Sequence, residues 1–145
     1  PVVQISLQPG EGAARHVELG RALAPLAGDG VLIIGSGHAT HNLHDWMANP
    51  RRQEPLRYAQ AFADWLHERL AARDTAALVR YRELAPDAAR AHPSEEHFLP
   101  LLVALGASSP TERAQWIAGE MTHQVLSMAG CAWGLDQAAM TAIAR

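Results

Sequence analysis

The chain contains no lysine: its 12 basic residues other than histidine are all arginine, against 15 acidic residues, for a formal charge of -3. The arginines are scattered rather than gathered into a stripe, so no electrostatic footprint for a nucleic acid is present. Cysteine is nearly absent too. The single Cys131 excludes an internal disulfide framework and fits a reducing compartment. It sits in MAGCAWG among small and apolar residues, which reads as an inert buried thiol rather than a nucleophile. No apolar stretch has the length of a bilayer span, and no basic segment followed by an apolar one opens the chain. These absences predict a soluble, cytoplasmic protein with no membrane partner. Internal repeats and low-complexity tracts are missing as well.

At 145 residues and 48% hydrophobic, the chain suffices for one domain with a real core. VVQISL (2–7), β-branched and bounded by Pro9-Gly10, reads as a strand. Because PVVQISL has no polar lead-in, the chain is expected to enter in the middle of a fold. Residues 11–27 carry Val17, Leu19, Leu23 and Leu26 at helical spacing and stop near Gly28 and Gly30. VLIIG (31–35), closed by Gly-Ser-Gly, has the pattern of a strand buried on both faces. Strand, helix, strand predicts an α/β fold with a mostly parallel or mixed sheet flanked by helices. Sites in such sheets gather at the carboxyl ends of strands, where GSGHATH falls.

Farther along, Phe62, Trp65, Leu66 and Leu70 predict a helix over 55–72 with Pro55 in its first turn. RYRELAPDAAR reads as a polar, arginine-rich connection. In HPSEEHFLPLLVALG, Ser94 is placed to cap a helix, with Glu95 and Glu96 at its positive end. Phe98, Leu101, Leu102 and Leu105 form the inward stripe of that helix, and His97 lies in its first turn. One or two strands are expected over 115–133, and a short terminal helix over 135–145.

Eight histidines are present, and most invite no role. His67 falls on a polar helix face, His16 in a solvated stretch, and His92 before Pro93 shapes a turn. His123 has no neighbour that lends it chemistry. In GSGHATHNLHDW, His38, His41 and His44 recur every three residues, but the preceding Gly-Ser-Gly predicts an irregular turn rather than a helical face. HExxH, CxxC and a carboxylate at ligand spacing are all missing, which argues against a self-contained zinc site. GSGHAT lacks the third glycine of a dinucleotide turn, and Ser36 is not framed as GxSxG. His41 at a strand end and His97 at a helix start remain. Imidazole in such places serves as a neutral metal ligand or as a proton shuttle, and the residues leave both open.

Together VLIIGSGHATHNL and HPSEEHFLPLLVALGA resemble the second half of the class III extradiol ring-cleavage dioxygenases, in the branch of the bacterial and plant 4,5-DOPA dioxygenases. PVVQISL resembles the preceding strand of that family and VLSMAGCAWG, more loosely, its closing strand. The resemblance implies that residues 1–145 are the carboxyl-terminal half of a larger α/β domain. It also implies an enzyme that inserts O2 into a DOPA-like catechol, with non-haem Fe(II) as cofactor and Zn(II) as the alternative. Residue by residue, His41 matches the histidine of the His-Asn-Leu motif, implied as catalytic acid/base or as a metal ligand. His97 matches the late metal ligand, whereas His38 and His44 match no functional position and read as loop residues. The HG turn and HW pair that supply the family's first metal-binding histidines have no counterpart, since Asp precedes the tryptophan in both Asp45-Trp46 and Asp64-Trp65. The chain alone is therefore expected to be inactive, needing an amino-terminal half or a second chain as partner. The competing expectation is a non-catalytic binding or scaffold relative that has lost the metal.

Overall fold

A computed structural model of the chain describes residues 1–48, 54–136 and 138. Its centre is helical. After a 3-10 turn at Pro9–Glu11, α1 (Gly12–Gly28) runs against α7 (Leu99–Ala107) with their backbones in touch. Two glycines permit this approach: a Cβ on Gly20 would fall 2.1 Å from the Val103 carbonyl oxygen, and one on Gly106 would fall 2.1 Å from that of Val17. The distance between packed helices follows the side chains at their crossing, so a glycine on each side brings the two axes close.

Alongside lies α3 (Arg57–Ala71), which buries Tyr58, Ala59, Phe62, Ala63, Leu66 and Leu70 along one face, as helical spacing requires. The expected helices over 11–27 and 55–72 are thus present as α1 and α3. Phe62 is the hub of the core, edge-on to Tyr81, His92 and Phe98 at centroid distances of 6.4, 5.3 and 5.9 Å.

Between α3 and α7 the arginine-rich stretch does not form an open connection. With the residues just before and after it, it folds into three short helices, α4 (Thr75–Val79), α5 (Tyr81–Leu84) and α6 (Ala88–Ala91). Asp74 caps α4 by accepting the Ala77 N–H at 3.0 Å. Tyr81 is fully buried and donates its hydroxyl hydrogen to the Glu95 carboxylate at 2.9 Å. The next helix starts later than expected, at Leu99 rather than after Ser94. Pro100, which has no N–H and a fixed φ, fits a first helical turn and marks the start. Ser94 turns its hydroxyl to Glu96 at 2.7 Å instead of capping.

Among the described residues, the sheets are two antiparallel pairs: β1 (Gln115–Ile117) with β4 (Gly130–Ala132), and β2 (Met121–Thr122) with β3 (Leu126–Ser127). The expected mostly parallel or mixed sheet is not formed there. Segments 2–7 and 31–35 carry no strand pairing, and Val2, Leu32 and Ile34 are 99%, 75% and 76% exposed. A strand meant for burial on both faces needs neighbours to pair and cover it, and the described residues supply none. The architecture is one of helices with small antiparallel sheets. The helix expected over 135–145 falls mostly outside the described residues. No helix among those described is long and apolar enough to cross a membrane.

Candidate metal centre

Two glycines lay the GSGHATHN loop directly on the start of α7. A Cβ on Gly35 would sit 2.3 Å from the Pro100 carbonyl oxygen, and one on Gly37 2.2 Å from that of His97. From there each successive residue is fastened to a different part of the body. The His38 N–H donates to the His97 carbonyl at 3.0 Å, and the His41 N–H to the Ala91 carbonyl at 2.9 Å. Between them, the Ala39 carbonyl accepts from His92 Nε2 at 2.9 Å. Thr40 donates its hydroxyl hydrogen to the Val125 carbonyl at 2.8 Å and accepts the Ser127 N–H at 2.9 Å. Asn42 donates to the Arg90 carbonyl at 2.7 Å, while its side-chain oxygen accepts the Asp45 N–H at 3.0 Å where α2 (Leu43–Ala48) begins. Arg90 in turn pairs with Asp45 at 2.8 Å. A loop tied at consecutive residues from 38 to 42 holds side chains with the definition that a site requires.

These ties converge three imidazoles. The rings of His41 and His97 stack with centroids 3.6 Å apart, and His38 lies 5.4 Å from the first and 5.6 Å from the second. One ligating nitrogen from each of the three lies within 4.8 Å of the other two. Burial, followed by the nearby His97, lowers the pKa of both His38 and His41. Both are therefore neutral near pH 7, with a lone pair to offer. His38 Nδ1 is buried with no hydrogen-bond partner, and Glu96 approaches His97 Nε2 at 4.0 Å. Neutral imidazoles with an unmatched buried nitrogen form a donor set that Fe(II) or Zn(II) fits.

His41 and His97, the two residues singled out from sequence, are brought together. His38, read there as a loop residue, joins them, whereas His44 points away, 89% exposed and 3.7 Å from Asp45. The irregular turn that spoils a helical face still lets residues three apart meet; the start of α2 removes the third. His92 does more than shape a turn. It is fully buried, and because a carbonyl can only accept, its Nε2 must carry the hydrogen that holds Ala39. Burial pushes its pKa down to about 4. His16 is likewise not solvated: it is buried, donating from Nδ1 to the Gly12 carbonyl at 2.7 Å and accepting the Gln8 N–H at Nε2. Ser36 is exposed, and among the described residues no hydrogen bond joins it to a histidine. Cys131 is a free thiol whose pKa burial raises to about 12, in keeping with an inert role.

Comparison with known proteins places this geometry in context. The family described as the catalytic LigB subunit of aromatic ring-opening dioxygenase matches residues 1–133. A 4,5-DOPA dioxygenase extradiol of Portulaca grandiflora is 41% identical over 131 residues, covering 89% of this chain and 47% of that protein. The 4,5-DOPA dioxygenase extradiol of Escherichia coli K12 is 33% identical over 112 residues, 74% of this chain and 40% of that one. The crystal structure of an uncharacterized protein from Escherichia coli K12 superposes with a TM-score of 0.74 at 29% identity, covering 86% of this chain and 51% of the other. The chain thus spans about half the length of the curated relatives it matches.

Proposed function

The chain belongs to the family of the catalytic LigB subunit of aromatic ring-opening dioxygenases, and from that premise we propose that residues 1–145 are the carboxyl-terminal half of a metal-dependent extradiol dioxygenase acting on a DOPA-like catechol and O2. One observation carries the reading. His41, on a loop that is tied down at consecutive residues, and His97, in the turn before α7 and more than fifty residues away in sequence, stack with ring centroids 3.6 Å apart. The relatives named as 4,5-DOPA dioxygenases support the substrate class.

His97 and His41 would hold the metal, Fe(II) or Zn(II) in its place. Such an ion would supply Lewis-acid polarisation of the catechol oxygens. The alternative role for His41 is acid/base rather than ligation: kept neutral by burial and by its imidazole neighbours, and with its lone pair off the metal, a ring nitrogen of His41 takes the proton of a catechol hydroxyl as the substrate enters and returns it as the ring opens. His92 and Thr40 keep that ring in place through the loop backbone. The exposed apolar runs 2–7 and 31–35 support a role for an amino-terminal half or a second chain in covering them and completing the site. By this reading the chain alone turns over nothing. A cytoplasmic setting suits the single, half-buried free thiol. The test is oxygen uptake and ring-opened product from the chain joined to its complementing half and loaded with Fe(II). A non-catalytic scaffold shows neither.

A further inference from the structure

We infer that His38 is a third metal-binding histidine, so that this chain holds one divalent cation through His38, His41 and His97 from its own residues. The inference deepens the dioxygenase reading and rests on it. Nothing in the sequence motifs marks His38; its case is geometric. The hydrogen bond from its backbone N–H to the His97 carbonyl at 3.0 Å fixes residue 38 beside residue 97, and the glycine at 37 lets the two backbones touch. Its ring then lies within 5.4 and 5.6 Å of the other two imidazoles, and its ligating nitrogen within 4.8 Å of theirs.

The buried Nδ1 without a partner is the second observation. A polar atom withdrawn from water without a hydrogen bond is costly, so a ring that leaves one unmatched while it lies beside two further imidazole donors calls for a shared ligand. His92 offers the contrast. Its Nδ1 is also buried without a partner, but its ring is wedged against Phe62 and Phe98, its Nε2 is spent on Ala39, and it is not among the three nitrogens that converge. His38 spends neither ring nitrogen on the protein in any hydrogen bond among the described residues. Glu96, 4.0 Å from His97 Nε2, is placed to orient the cluster from outside it.

The test uses the full 145-residue chain, stripped of metal by a chelator and titrated with Zn(II) by calorimetry. The expected result is one ion per chain, bound at least about tenfold more weakly by His38→Ala and by His97→Ala, with His44→Ala unchanged. Because His38 anchors its loop through the backbone, alanine keeps that bond. A second readout needs no variant: in the 15N-histidine spectrum, the His38 ring nitrogens move on Zn(II) saturation together with those of His41 and His97. Binding by His38→Ala equal to the parent, a His38 signal that stays put while the other two move, or no binding at all would overturn the inference. The dioxygenase reading fails separately: zinc binding that depends on His38, in a chain that consumes no oxygen once complemented and iron-loaded, supports His38 and sinks the activity.

Discussion

Replacing His92 with glutamine tests how the site loop is held. The His92 ring is packed against Phe62 and Phe98 at 5.3 and 5.2 Å and donates to the Ala39 carbonyl. Burial lowers its pKa from the ordinary 6.5 to about 4, against a smaller raising effect of that hydrogen bond. Between those values the unfolded chain binds a proton that the folded chain refuses. His92 therefore costs no stability above pH 6.5, and stability is lost as pH falls toward 4, by about 3 kcal/mol over the whole window. Glutamine keeps a donor for Ala39 and removes the titration. Urea unfolding of the metal-free chain at pH 7.5 and pH 4.5 should show the parent losing about 2–3 kcal/mol more than His92→Gln between the two conditions. His38 and His41, also lowered by burial, titrate in both proteins and cancel in the comparison. Parallel losses in the two proteins would refute a buried, neutral His92.

Three further outcomes follow from packing. Gly37→Ala drives a Cβ to within 2.2 Å of the His97 carbonyl oxygen and should cost roughly 1–3 kcal/mol in thermal unfolding; an unchanged melting temperature would mean that the loop does not lie on α7. Tyr81→Phe removes the hydrogen bond to the Glu95 carboxylate and should cost about 1.5–3 kcal/mol by urea titration, with no loss contradicting the bond. Phe62→Ala empties the hub of the core, for about 3–5 kcal/mol, and a loss under 1 kcal/mol (about what a surface change gives) would misplace the hub.

Helices with a one-sided apolar stripe, α1 and α3, are legible in the sequence because their periodicity is local. The runs 2–7 and 31–35 are not, since a β-branched apolar run states only that it prefers to be covered and paired. Whether it is depends on strands elsewhere. The stretch around Tyr81 is hidden for the opposite reason: its buried residues are Leu78, Tyr81 and scattered alanines, too sparse a signal among arginines to register as a core face. At the site, His41 and His97 stand out through motif resemblance. His38 does not, because its position is set by contacts with Pro100 and His97, and its neighbour Thr40 by contacts with Val125 and Ser127, all far along the chain. Three-residue spacing hints at the meeting of His38 and His41 without saying which of the three histidines is left out.

Oxygen consumption decides whether this half-site belongs to a working dioxygenase. With the complementing half present and Fe(II) bound, the protein should take up O2 with DOPA or a related catechol and form a yellow ring-opened product. His41→Ala should abolish that turnover while its far-ultraviolet spectrum stays that of the parent. No uptake with any of several catechols, or a His41→Ala variant as active as the parent, would contradict the assignment.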